Sequence, residues 1–286
     1  MISMRMSDTT IINTIYLIFS AATEALKAKN FGKVRELLKR AEQLSITLRD
    51  ITKYAEVIHK LSDFYVMIGD DKKAKDLLEN LLAQIQEEAS KRSELQIEYL
   101  QAVTQAFLLR IYSRMGVFDN ILLEKTLEMY KKLAKQYKLV DYYLSFLLTI
   151  YLPIKSQKSD KKTLRKILLD AISLSNEILE GEPSPDALPI IAETLVQLAN
   201  IEIALEDYRN ALTHVLNALE IYRQLENFRE NFCRILEDLL DFLYKNREKQ
   251  RYIDRTMLSE FLENASKKCV NFRKIEELAK HLGFLE

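Results

Sequence analysis

The sharpest pairing of reactive side chains in this sequence is His59 with Asp63, four residues apart and so on one face of any helix that carries them. An imidazole and a carboxylate so placed can supply half of a metal site or relay a proton. No third ligand stands near them, and an ordinary solvated pair on a binding face is the plainer reading. The other histidines, His214 and His281, are scattered. The chain contains no H-E-x-x-H, no G-x-S-x-G, no phosphate loop and no G-x-G-x-x-G. The glutamate-rich QEEASKRSE (86–94) mixes signs without metal-ligand spacing and reads as exposed helix ends. No catalytic residue, metal or cofactor is expected, and the chain reads as non-enzymatic.

Binding chemistry is better represented. Two stretches are basic, KSQKSDKKTLRK (155–166) and YKNREKQRYIDR (244–255). They suit an acidic partner or nucleic acid, although solubility and helix capping explain them too. Across the whole chain 42 basic residues balance 42 acidic ones, against the basic excess usual in nucleic-acid binders. The tyrosine-rich QYKLVDYYLSFLLTIYLP (136–153) invites a base-stacking reading. At helical spacing, Tyr143, Leu144, Leu147, Leu148 and Tyr151 more plainly form core, with Tyr142 left on a groove.

The elements that must position these residues are helices. Apolar residues recur at i, i+3, i+4, i+7 almost throughout, and five glycines and four prolines among 286 residues leave few hairpin turns. The breaks predict about thirteen helices. Gly32, Gly69, Gly116 and Gly181 fall at breaks, as left-handed caps would. GEPSPDALP (181–189) is a candidate subdomain seam, with Ser184 or Asp186 as N-cap. IINTIYLIFSAA (11–22) imitates a signal-peptide core, but one positive charge precedes it and Asp8 intervenes, so it reads as an amphipathic first helix. No stretch approaches the ~20 apolar residues of a membrane span. Cys233 and Cys269 form no C-x-x-C and read as free thiols in a reducing cytoplasm, without a disulfide.

The helices pair. LSDFYVMIGDDKKAKDLLENL (61–81) and LANIEIALEDYRNALTHVLNAL (198–219) share one frame. A Leu and a small residue open it (Leu61-Ser62, Leu198-Ala199), and a larger residue follows four on from the Leu (Tyr65, Glu202). The turn comes ten on (Asp71, Tyr208), and alanine three beyond that (Ala74, Ala211). Alanine at 211 and 218 lets two helices approach closely; a larger side chain would overpack the crossing. This pattern resembles the tetratricopeptide repeat family, from about residue 10 to 266. Turns at Phe31, Asp71, Phe118, Lys161 and Tyr208 are spaced by 40 to 47 residues, longer than the family's 34, and tryptophan is absent. The resemblance implies an all-α, right-handed superhelical stack of about six antiparallel helix pairs in a single domain, 1–286, closed by a C-terminal capping helix at 271–284.

In such a stack the first-helix residues that avoid the core face a concave groove. They are Tyr16, Phe19 and Thr23; Glu56, His59, Lys60 and Asp63; Arg110, Ser113 and Arg114; Tyr142, Ser145 and Thr149; and Glu193, Gln197 and Asn200. Family members that grip a peptide's C-terminal carboxylate use a Lys and an Asn four apart on the first helix. Here His59 and Asp63 take those places, and Asp63 would repel a carboxylate. Arg110 and Arg114, one turn apart, are the strongest anion-binding candidates, since arginine's fork meets carboxylates bidentately. The function implied is a scaffold or adaptor, monomeric or homodimeric and off the membrane. It would hold a peptide or helix of a partner protein on His59, Lys60, Asp63, Arg110, Arg114, Tyr142, Gln197 and Asn200. The alternative is a nucleic-acid-associated or regulatory module on the turn edge, at Lys161, Lys162, Arg247 and Arg251.

Overall fold

The computed structural model describes residues 7–91, 94–180 and 184–285. All of its regular structure there is helical, in fourteen α-helical segments. The break at Gly181 and the first residues of the 181–189 stretch lie outside the described residues. The chain divides into two compact units, residues 1–130 and 131–286.

The first unit holds α1 (Asp8–Lys27), α2 (Phe31–Ser45), α3 (Ile51–Met67), α4 (Asp71–Lys91), α5 (Leu95–Arg114) and the start of α6 (Asn120–Tyr137). Each of the first four helices packs on the next. Ile15, Leu38, Ile58, Leu61, Leu78, Leu81, Ile97 and Leu108 form its core. Ala41 and Ala74 are fully buried, as close crossings require. By length and composition α1 suffices to cross a membrane, which the sequence did not lead us to expect. Its stripe of Ile11, Ile15, Phe19 and Ala22 is instead buried within the unit.

The second unit continues with α7 (Val140–Phe146), a π turn (Leu147–Tyr151) and α8 (Leu152–Lys155), which run on without a break as one rod. Counted so, fourteen segments become the thirteen rods that the periodicity predicts. Then follow α9 (Lys161–Leu179), α10 (Leu188–Ile203), α11 (Tyr208–Gln224), α12 (Arg229–Lys245), a 3₁₀ turn (Arg247–Tyr252), α13 (Arg255–Lys268) and α14 (Phe272–His281). Ala211 and Ala218 are fully buried at the close α10–α11 crossing, whereas Ala204 caps α10 in solvent. The capping helix α14 sets Ile275 and Ala279 against α12 and α13.

One turn recurs. At Lys29, Gly69, Gly116, Glu206 and Gly283 the backbone is left-handed. The next residue's N–H reaches back five positions, from Asn30 to Ala25, Asp70 to Tyr65, Val117 to Tyr112, Asp207 to Glu202 and Phe284 to Ala279, at 2.8–2.9 Å. This is the Schellman stop, which satisfies carbonyls left over at a helix end. Gly32 is not part of it: it lies inside α2, and Lys29 takes the left-handed position. The α8–α9 connection lacks the stop. There Pro153 has no N–H and its ring would meet the carbonyl of Thr149 in a regular helix, so the chain widens into a π turn just before it.

Cys233 and Cys269 are not free thiols. They form a disulfide with Cα atoms 5.8 Å apart, tying α12 to the end of α13. Their separation of 36 positions hides the pairing from any motif, because the α12–α13 reversal alone brings them together. The premise for a reducing cytoplasm falls with it, since disulfides persist in oxidising surroundings.

Candidate interaction surfaces

In the first unit, α1, α3 and α5 contribute a layer of polar and aromatic side chains. Tyr16 donates its hydroxyl to Glu56. Burial first, and then that carboxylate, push the Tyr16 phenol up to about 12. The Lys60 ammonium lies 4.9 Å from the Tyr16 ring centre and 5.8 Å from that of Phe19. His59 stacks flat on Phe107 at 4.7 Å. The Arg110 guanidinium covers the same ring at 4.8 Å and is ion-paired with Asp63.

His59 and Asp63 therefore serve different partners rather than each other. The one proton of the Thr104 hydroxyl goes to the Leu100 carbonyl at 2.8 Å. Thr104 must then accept from His59 Nε2–H at 2.9 Å, which leaves Nδ1 with the lone pair. Burial lowers the imidazole pKa to about 4, so it is neutral at physiological pH. Arg114 is also committed, with Nε 3.1 Å from Asp71. The two arginines expected to be anion sites are thus already paired with aspartates of α3 and α4. Lys60 makes no ion pair among the described residues. Phe19, expected in the groove, is core and stacks on Phe64 at 5.4 Å. Phe107 was missed, because one more apolar residue on a helix carries no signal of its own.

In the second unit, a cleft of about 600 Å³ runs between the π-turn rod and α10. Leu148, Leu152, Pro153, Leu164, Ile190 and Ile201 give it an apolar lining, and Ser145, Thr149, Ser156, Glu193 and Gln197 add polar groups. Thr149 folds its hydroxyl back onto the Ser145 carbonyl at 2.6 Å, and Gln197 donates to Glu193 at 3.0 Å. Of the expected groove residues in this unit, Ser145, Thr149, Glu193 and Gln197 line the cleft. Tyr142 and Asn200 are exposed on the same two rods but are not part of its wall. Tyr143, Leu144, Leu147 and Tyr151 are core as expected, while Leu148 is half-buried and forms cleft wall.

A larger hollow of about 870 Å³ lies by the α2–α3 turn, with Asp8, Asp50, Glu87 and Glu88 in its wall. These carboxylates are already engaged. Asp8 and Asp50 accept backbone N–H groups, and Glu87 and Glu88 pair with Lys91.

Beneath the α10–α11 turn sits a buried charge cluster. Glu202 is wholly inaccessible; Arg165 Nε lies 2.9 Å from one carboxylate oxygen and His214 Nδ1 2.7 Å from the other. Arg165 also reaches Asp207 at 3.1 Å. Such a histidine–carboxylate pair supplies two of the three members of a nucleophile-activating triad, but no nucleophilic side chain bonds His214 among the described residues. No group of three or more His, Cys, Asp or Glu close enough to hold a metal ion occurs among them either.

The cluster also joins the basic turns. Arg165 bonds Asp207 from the start of α9, and next to Asp207 the Tyr208 ring lies 4.0 Å beneath the Lys249 ammonium of the 3₁₀ turn. Lys161, Lys162, Arg247 and Arg251 are exposed, and none of them makes an ion pair among the described residues.

No family model matches the sequence, and no curated protein matches it. Solved structures do. The nuclear import adaptor Nro1 of S. pombe matches 96% of this chain over 99% of its own, with a TM-score of 0.54 and 13% identity. A second structure of Nro1, described as a hypoxic regulator of sterol synthesis, matches 95% of this chain over 93% of its own, with a TM-score of 0.53 and 13% identity. At that identity the likeness establishes the fold, which is all-α and of the tetratricopeptide-like helical repeat kind.

Proposed function

We propose that the protein is a non-enzymatic interaction scaffold that seats a helix or peptide of a partner protein. The observation that carries this reading is the cleft between the π-turn rod and α10. It is apolar along its length and edged by polar groups, the form that receives an amphipathic segment through apolar anchors at i, i+3, i+4 and i+7. The π turn supports it, since such turns in α-helices concentrate at functional places. The aromatic and charged layer of α1, α3 and α5 offers a second contact surface in the first unit, with Lys60 as a cation that makes no ion pair among the described residues. Nro1 is an adaptor on the same fold, which supports the reading as analogy alone.

Selection from a displayed peptide library on the immobilised full chain tests this. Enriched peptides should carry apolar residues at helical spacing. They should fail to bind Gln197→Trp or Thr149→Trp, in which an exposed cleft residue becomes an obstruction. Failure to enrich any sequence, or equal binding to both variants, would sink the reading.

A further inference from the structure

The turn edge of the second unit carries chemistry that the cleft does not use. Between residues 244 and 255 stand five basic residues and two acidic ones, in a chain of zero net charge. Arg247, Arg251 and Arg255 recur every four residues, and each lies over an aromatic ring. Arg247 covers Tyr244 at 5.5 Å, Arg251 covers Tyr252 at 4.7 Å, and Arg255 covers Phe284 at 5.4 Å. None of the three makes an ion pair among the described residues, and the two acids of the segment serve other groups. Asp254 caps α13, and Glu248 pairs with Lys249.

The start of α9 extends the charge. Its first turn contains no acid and holds Lys161 and Lys162, with Lys166 one turn on. Cations are disfavoured there, because the helix dipole already places positive potential at that end. Asp160 partly offsets this by capping Thr163 at 2.7 Å. The Arg165–Asp207 and Lys249–Tyr208 contacts bring both basic turns to the α10–α11 turn, so they share an edge.

We infer that this edge binds single-stranded nucleic acid. A row of unpaired cations is what a phosphate backbone requires. The ring-mounted guanidiniums discriminate further. Arg251 also donates to the Tyr252 hydroxyl at 2.6 Å; a guanidinium kept beside a ring in this way offers a planar cation on which an unpaired base can stack. The carboxylate of an acidic side chain meets a guanidinium edge-on through its N–H groups and has no ring face to stack there.

The test is fluorescence anisotropy of the nuclease-treated full chain with a labelled oligouridine of about 16 nucleotides, at the upper end of known site sizes. Binding should weaken with salt at a slope of about −0.7 per phosphate engaged. Arg247→Gln/Arg251→Gln/Arg255→Gln should bind at least tenfold more weakly. Lys161→Gln/Lys162→Gln, exposed and free of ring contacts, should lose severalfold. The lysine variant keeps the test decisive should the arginine variant lose its helical circular dichroism. No binding at low salt, unchanged affinity in the folded variants, or displacement by a glutamate-rich peptide at equal concentration would each overturn the inference.

Discussion

At the scale of single residues, burial sets the chemistry. His59 has its folded pKa lowered from 6.5 to about 4 by desolvation. The unfolded chain therefore binds the extra proton between those values. Stability is unaffected at pH 7 and falls as pH drops through 6.5 toward 4, by up to about 3 kcal/mol at 1.36 kcal/mol per unit. Urea denaturation of the wild type and His59→Gln at pH 7 and pH 4.5 checks this: the wild type should lose more stability on acidification. An equal loss in both would contradict it. Glu202 behaves differently. Glu202→Ala would leave Arg165 and His214 facing a vacated site, and should cost about 3 kcal/mol, read by thermal unfolding. Neither role was legible from sequence. The frame marked Glu202 only as a larger residue where the other unit has Tyr65, and its partners stand 37 and 12 residues away. His59 was singled out with Asp63, but the rings and ions that claim them come from α5, which no local spacing reveals.

At the scale of elements, the repeated turn explains much of the architecture. Gly69 and Gly116 have φ near +75°, and a Cβ at either would meet nothing within 4 Å. The penalty at these sites is therefore conformational rather than steric crowding by neighbours. Gly69→Ala should cost about 1 kcal/mol, and Glu206→Gly should gain a similar amount by relieving a left-handed glutamate. Paired denaturation curves would show opposite signs; the same sign in both would remove the left-handed turn from the account. Ala211→Leu should cost about 1–3 kcal/mol by overpacking the α10–α11 crossing. Helix number and pairing were readable because the 3.6-residue period and the small-residue crossings are local signals. Lys29 and Glu206 were not readable as turn residues, because only glycine advertises positive φ. The π turn was hidden for a related reason: a proline signals a break, and here the helix absorbs it by widening.

At the scale of the whole molecule, two units carry three surfaces of different chemistry. The first unit offers aromatic and charged side chains, most of them already paired. The second unit offers an apolar cleft and a basic, arginine-rich edge. Its last helices are closed by the Cys233–Cys269 bond. For a closed loop of that length, the chain-entropy account gives about 4 kcal/mol of stabilisation. Treatment with a dithiol should lower the denaturant midpoint of the wild type and leave Cys233→Ser/Cys269→Ser unchanged. Insensitivity of the wild type would mean the bond is absent in solution. The central claim is that a partner segment occupies the cleft, independently of the edge. The most direct measurement is the affinity of one selected peptide for three proteins: wild type, Gln197→Trp, and Arg247→Gln/Arg251→Gln. The account predicts that Gln197→Trp loses binding by a hundredfold or more, while the arginine variant binds as the wild type does with little dependence on salt. Loss in the arginine variant, with Gln197→Trp unaffected and a steep salt slope, would contradict it.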